Sequence, residues 1–487
     1  MHRRHLRRAY EFLLILVLLC PTTRSRAAET VIADHFPGAE WERISPEQAG
    51  WSAKTLADAQ AWWATIEPTA AVMIVQHGRV VWEWGDTVTK SNLHSIRKSL
   101  LSALIGIAVG EHKIDLDATM ESLGIDDNAP SLTATEKTAT IGDLLKARSG
   151  IYHPALYETP SMARLRPPRG SHPPGTFWYY NNWDFNALGS IYERTTGEWI
   201  FNAFAQKIAS PIGMQDYRAS DGEYFRGPAS NHPAYPIRMS ARDLARFALL
   251  YLHDGRWNDR QIVPAAWVRD STHAYSEAFP GIGPGLGYGY LWWIGYMSNA
   301  GAPIVRVPEG TYSARGAEGQ YAFVIPQLDL VVVHRINSDT GLGDGPAERK
   351  AEPNTRELGR LLWLILTAAG DADAGPDVSL AHANGSRLSG DALRATLSGA
   401  SLEVGGEIKG GPFHWHLDPD GKLTVLGQGE NVLLTGRWRI DGDRYCRSLI
   451  GVRPQDACFT AMAKDDKIAF FDSDGLMALD TVVDRAK

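Results

Sequence analysis

Two apolar runs near the start of the chain, Ala71-Val-Met-Ile-Val75 and Val80-Val-Trp82, flank the dipeptide His77-Gly78. Glycine accepts the positive φ of a tight turn, so this stretch predicts a β-hairpin. Leu100 to Ile107 follows as an apolar run relieved only by small residues, the pattern of a core helix. Residues 115–280 carry mostly helical periodicity with long loops. Within them Ser240-Ala-Arg-Asp243 reads as a capping box ahead of Leu244, Phe247, Ala248 and Tyr251 on one helical face. Strand signals return at Tyr288–Trp293, Gln320–Ile325 and Leu328–Val333, and Pro353 opens an apolar helix through Leu366. Strands at both ends with helices between them predict an α/β (α+β) layer, a sheet flanked by helices with a helical region inserted.

The pattern then changes. Gly370-Asp-Ala-Asp-Ala-Gly-Pro376 is small and flexible, which marks 371–377 as a linker. From 378 to 487 the runs are short and alternating, as in Trp438-Arg439-Ile440. Asp-Gly pairs at 420–421, 441–442 and 474–475 supply turns between them. A small antiparallel β domain, barrel or sandwich, is expected there. The Asp418-Pro-Asp420-Gly421 stretch belongs to such a hairpin, since a calcium loop needs a glutamate farther on.

Residues 1–27 are of another kind: Arg3, Arg4, Arg7 and Arg8, an apolar stretch from Phe12 to Cys20, then Ser25-Arg26-Ala27. A basic head, a short apolar run and small residues at −3 and −1 predict a secretory signal peptide, too short in its apolar part to span a membrane. The expected location is periplasmic or extracellular, and the main domain then runs from 28 to 370. Loss of the leader takes away six arginines and one glutamate and moves the formal net charge from −7 to −12. So acidic a body argues against nucleic acid as a partner. Cys446 and Cys458 remain as an even pair, and in an oxidising compartment a disulfide between them contributes about 2–3 kcal/mol. No CxxC spacing supports zinc, and His414 and His416 lack a third ligand, so no metal is expected.

The candidate chemistry begins at Ser95-Ile-Arg-Lys98, a hydroxyl and an amine on one side of a helical first turn. A serine is a poor nucleophile until a base takes its proton, and burial at a helix start favours a neutral amine. Two more segments follow: Pro174-Gly175-Thr-Phe-Trp-Tyr179-Tyr180-Asn181-Asn182, and Ala314-Arg315-Gly316-Ala317 leading into the strand at Gln320. In order and spacing the three motifs resemble those of the serine β-lactamase and penicillin-binding protein superfamily. The likeness is strongest to its class C branch, which includes esterases, amidases and 6-aminohexanoate-dimer hydrolases. It covers roughly residues 40–370 and takes in Leu144-Leu-Lys-Ala-Arg-Ser149-Gly150 and the Ser240 helix.

The resemblance implies that Ser95 is the acylated nucleophile, Lys98 its deprotonating partner and Tyr180 the proton shuttle, with Tyr179 as rival for that role. It implies that Asn182 holds Lys98 and a substrate carbonyl, and that the backbone N–H groups of Ser95 and Ala317 form the oxyanion hole. Ala314, Arg315 and Gly316 would border the substrate, but the family's Lys-Thr-Gly has lost its lysine at Ala314. That loss puts β-lactam turnover in doubt and leaves open whether Arg315 replaces the charge. The expected protein is an exported serine hydrolase of small esters or amides, without metal or cofactor. A β-lactamase or D,D-peptidase is the second reading, and a catalytically silent binding protein on the same fold is the third.

Overall fold

The computed structural model describes residues 35–66, 69–159, 162–163, 166–278, 286–295, 305–337, 355–372, 374–376, 385–404, 413–427, 432–450, 456–471 and 477–484. The leader expected at 1–27, Pro353 and the turn at 474–475 lie outside the described residues.

An eight-stranded antiparallel sheet organises the first part of the chain. Its strands are β1 (Ala71–Gln76), β2 (Arg79–Gly85), β3 (Ser276–Glu277), β4 (Leu286–Tyr288), β5 (Trp293–Gly295), β6 (Tyr312–Gly316), β7 (Gln320–Ile325) and β8 (Leu330–Arg335). They lie in the order β2-β1-β8-β7-β6-β5-β4-β3, so both ends of the segment meet at the centre. The hairpin β1–β2 turns at His77 (φ 49°) and Gly78 (φ 69°), and a Cβ on Gly78 would sit 1.8 Å from the His35 carbonyl oxygen. Only glycine fits there.

Strand alternation sorts the side chains onto two cores. Met73, Val75, Ala314, Ala322, Val324 and Val331 face one core, which they share with helices α2 (Ile96–Gly110), α3 (Asn182–Thr196) and α4 (Ala241–Leu252). Val72, Ile74, Tyr321, Phe323 and Val332 face the other, under α1 (Ala53–Trp63) and α5 (Thr355–Ala368). Helices α2 to α4 precede β3, so the helical region is an insertion between the sheet's strands.

Two local expectations change. The aromatic run Tyr288–Trp293 is not one strand: Gly289 N–H donates to the Trp292 carbonyl (2.9 Å) and Leu291 has φ 66°, so the chain turns between β4 and β5. Its aromatics owe their burial to tertiary packing, which mimics a strand's hydrophobicity. At α4, Ser240 does accept from Asp243 N–H, but the Asp243 carboxylate accepts instead from the backbone N–H groups of Gln215, Asp216 and Tyr217.

The later strands are β9 (Ser386–Leu388), β10 (Ser401–Val404), β11 (Phe413–Leu417), β12 (Lys422–Leu426), β13 (Val432–Asp441), β14 (Arg444–Leu449), β15 (Asp456–Lys464), β16 (Lys467–Phe471) and β17 (Met477–Asp484). They form one antiparallel sheet that closes through β15 and β16 into a barrel, with β9 added outside on β15. Its core includes Leu402, Trp415, Leu423, Tyr445 and Phe470, plugged by Leu393 and Leu397 of helix α6 (Gly390–Leu397). That helix has little over two turns, too short for its period to stand out in the sequence. Cys446 and Cys458 are direct cross-strand partners on β14 and β15 and are joined as a disulfide. Asp418 and Gly421 close the β11–β12 turn as expected. Among the described residues His414 and His416 join no group of converging metal-ligand atoms. Part of the expected linker is ordered by pairing, since Gly375–Pro376 runs antiparallel to Val305–Arg306. No helix among the described residues is long and apolar enough to cross a membrane.

Candidate active site

Ser95 sits at the start of α2. Residues Ile96 to Ala108 are all buried, as their apolar run requires, while Ser95 itself stays half-exposed. One helical turn brings Lys98 beside it. The buried Lys98 Nζ donates to Ser95 Oγ (3.0 Å), to Tyr180 OH (2.6 Å) and to Asn182 Oδ1 (2.9 Å). Its cation also lies over the rings of Tyr180 (4.1 Å) and Phe185 (4.4 Å).

Tyr180 and Asn182 reach the lysine from the start of α3, and the Leu144–Gly150 segment explains why that start is held. Asn181 caps the helix and donates through Nδ2 to the Ile151 carbonyl (2.7 Å) and to Asp184 Oδ1 (2.8 Å). Ser149 Oγ donates to the same Asp184 oxygen (2.6 Å), and burial raises that carboxyl well above the ordinary range. Gly175 N–H donates to the Arg148 carbonyl (2.8 Å) and Tyr179 N–H to that of Ala147 (3.0 Å). The first part of the second motif is thereby tied to the Ser149 loop. Tyr180 stacks on Trp293, with ring centroids 5.4 Å apart. Burial pushes its phenol up to about 12, against smaller downward pulls from a hydrogen bond with Ser95 and from the Arg97 charge. It is a neutral phenol at physiological pH. Tyr179 points elsewhere and donates to the Met162 carbonyl (3.0 Å).

The third motif lies at the end of β6, against the loop that precedes Ser95. A Cβ on Gly316 would come within 2.4 Å of the Leu93 carbonyl oxygen and 3.2 Å of His94 Cβ, so glycine permits the close approach of strand and loop. Beyond it Ala317 is exposed, and Glu318 (φ 65°) brings its carboxylate to 3.6 Å from His94 Nε2. Ala314 is fully buried on the α2 face of the sheet. Arg315 is paired across the ladder with Tyr321 on the opposite face. It donates through Nε to Ser313 Oγ (2.9 Å), with its guanidinium near the rings of Trp293 (5.5 Å) and Phe323 (6.0 Å). Burial lowers it to about 10, so it keeps its charge.

Several supporting residues were not foreseen. Arg335, at the end of β8, donates to Gln320 Oε1 (2.6 Å), to the carbonyls of Met239 (2.8 Å) and Ser91 (2.9 Å), and to Ser91 Oγ (2.7 Å). It braces the loop before Ser95 from behind. Asn182 Nδ2 donates to the Tyr157 carbonyl (2.7 Å), so one of its N–H groups is already engaged. An arginine closing an apolar strand and a tyrosine in an irregular loop carry no pattern that separates them from their neighbours.

A family model described as Beta-lactamase matches residues 59–357. An uncharacterized protein of Alkalihalophilus pseudofirmus is 22% identical over 302 residues, 55% of this chain and 84% of that protein. Among solved structures, the octameric penicillin-binding protein homologue from Pyrococcus abyssi is 17% identical with a TM-score of 0.48, covering 88% of this chain and 99% of its own. A Bacillus anthracis protein assigned as a 6-aminohexanoate-dimer hydrolase is 19% identical with a TM-score of 0.45, covering 69% of this chain and 88% of its own. The family match takes in well over half of the chain, with Ser95, Lys98, Tyr180 and Gly316 inside it, and on that match the chain belongs to the beta-lactamase family.

Proposed function

We propose that this chain is an exported serine hydrolase that takes the acyl group of an uncharged carboxylic ester or amide onto Ser95 and passes it to water. The observation that carries this reading is the single nitrogen of Lys98 within hydrogen-bond distance of Ser95 Oγ, Tyr180 OH and Asn182 Oδ1. A half-exposed hydroxyl beside a buried amine and a partly buried phenol is what nucleophilic catalysis needs.

In the proposed step Ser95 Oγ attacks the carbonyl carbon. The step starts once the Lys98 ammonium has released one proton to solvent and the Tyr180 hydroxyl has turned to donate to its nitrogen; the Ser95 proton then passes to the Tyr180 oxygen as Tyr180 gives its own to Lys98. A phenol held up near 12 favours this concerted relay over a standing phenolate. The tetrahedral oxyanion is received by the N–H groups of Ser95 and Ala317, and its collapse expels the leaving group, which takes the proton back. Water repeats the sequence on the acyl-enzyme. Ala314 in place of a lysine supports the choice of an uncharged substrate, while the Arg315 guanidinium is separated from Tyr180 by the Trp293 ring.

A fluorophosphonate probe should label the protein once, on the peptide containing Ser95, and Ser95→Ala should abolish both label and esterase activity. Full activity in Ser95→Ala overturns the reading. The leader pattern and the Cys446–Cys458 bridge support export, because disulfides persist in oxidising compartments. Sequencing the mature N-terminus tests it, with Ala28 expected.

A further inference from the structure

We infer that Tyr157 is a positioning residue for acyl transfer, one that holds Asn182 with its backbone carbonyl and the nucleophile's loop with its hydroxyl. The inference rests on Ser95 being the acylated residue.

Tyr157 lies outside the three motifs, yet it touches both halves of the site. Its carbonyl accepts from Asn182 Nδ2 (2.7 Å), which turns the Asn182 oxygen toward Lys98 (2.9 Å). Its hydroxyl oxygen accepts from Asn92 Nδ2 (2.8 Å), and Asn92 Oδ1 in turn accepts from His94 N–H (2.8 Å), one residue before the nucleophile. A continuous path therefore runs Lys98–Asn182–Tyr157–Asn92–His94, and it ends beside Ser95 without passing through the Ser95–Lys98 contact. His94 is at φ 47° and Tyr157 at φ 61°, a left-handed region that non-glycine residues occupy at a cost. Such conformations persist where surrounding bonds hold them, and both are held here by links in this path.

Asn92 uses both ends of its amide, so neither partner can move without tilting it. The Tyr157 ring also lies 5.6 Å from the Arg97 guanidinium. The same guanidinium lies 4.3 Å from the Tyr235 ring. The hydroxyl of Tyr157 thus sets the nucleophile's loop, its carbonyl sets Asn182, and its ring helps to seat the residue between Ile96 and Lys98.

Tyr157→Phe removes the hydroxyl and leaves the ring and the carbonyl. The test is stopped-flow acylation by a p-nitrophenyl ester, expressed per site titrated with fluorophosphonate, beside a thermal melt. A displaced nucleophile should slow acylation roughly ten- to a hundredfold, with KM changed by no more than about twofold. Asn92→Ala should give a loss at least as large, since it also removes the His94 contact, and the double variant should be no slower than Asn92→Ala alone, because both cut the Tyr157–Asn92 link. A wild-type acylation rate per titrated site in Tyr157→Phe overturns the inference, even if the melting temperature falls, since that is a purely structural role. Losses that multiply in the double variant overturn it as well. Activity retained in Ser95→Ala is a different failure, that of the proposed function itself.

Discussion

Replacing Tyr180 by phenylalanine removes one oxygen from the centre of the proposed relay and little else. The ring stays packed by Trp293 (5.4 Å), Phe185 (4.9 Å) and Tyr288 (6.0 Å). What is lost is the acceptor of a 2.6 Å hydrogen bond from Lys98 and the partner of the Ser95 hydroxyl. Lys98 keeps Ser95 Oγ and Asn182 Oδ1, so folding should lose only about 1–2 kcal/mol. Catalysis should lose more. A positioned acid–base group contributes about 10²- to 10⁴-fold, or roughly 2.7–5.5 kcal/mol of transition-state stabilisation. The assay is kcat/KM for a neutral p-nitrophenyl ester, corrected by active-site titration. Because the phenol stays neutral up to about 12, the substitution should lower the whole profile evenly between about pH 6 and 9 and shift neither limb. Tyr179→Phe is the control, since that hydroxyl donates to the Met162 carbonyl and should leave turnover near wild type. A Tyr180→Phe enzyme within about threefold of wild type, or an equal loss in Tyr179→Phe, refutes the relay.

Three further outcomes are expected. Wild-type protein should hydrolyse neutral p-nitrophenyl esters faster than nitrocefin, by about 10- to 150-fold in kcat/KM if the lost lysine contact amounts to 1.5–3 kcal/mol; efficient nitrocefin turnover without esterase activity reverses the order. Gly316→Ala should force β6 away from the Leu93 carbonyl and cost on the order of a hundredfold in kcat, checked by the same titrated kinetics. Burial lowers His334 to about 4 from 6.5, so on acidification the unfolded chain takes up the proton first. Stability present above about pH 6.5 should fall toward pH 4 by up to roughly 3 kcal/mol, and His334→Gln should flatten that limb in urea titrations.

The sequence announced its core through period and order. The hairpin at Ala71–Gly85, the strand at Gln320–Ile325 and the helix after Ser95 all carry a face that water rejects, and each formed where its pattern stood, while the strand expected at Leu328–Val333 runs two residues later, as Leu330–Arg335. The three motifs were legible because each is a local string of side chains with unusual chemistry. Other parts of the site were not. Arg335, Asn92 and Tyr157 act through bonds that span up to 244 positions in the chain, and no local pattern encodes a partner at that distance. The β4–β5 turn was missed for a related reason. Tyr288, Tyr290, Leu291 and Trp292 are apolar because the helices above bury them, whatever the backbone does between them.

Arg97 and Lys98 are adjacent cations, both almost wholly buried, in the first turn of a helix whose dipole is positive at that end. Neither gains stability from that position, and a fold selected for stability alone would not place them there. Aromatic faces offset part of the cost: Tyr180 and Phe185 lie against Lys98, and Tyr235 and Tyr157 against Arg97. Desolvated contacts of this kind contribute about 2 kcal/mol or more each, which lessens the burial penalty. The aromatic density of the second motif therefore has a reason beyond packing. Tyr180 seats the Lys98 ammonium with its ring and touches Lys98 and Ser95 with its hydroxyl, so the cradle and the proposed relay are one side chain. A leucine at position 180 would fill the space and offer neither contact.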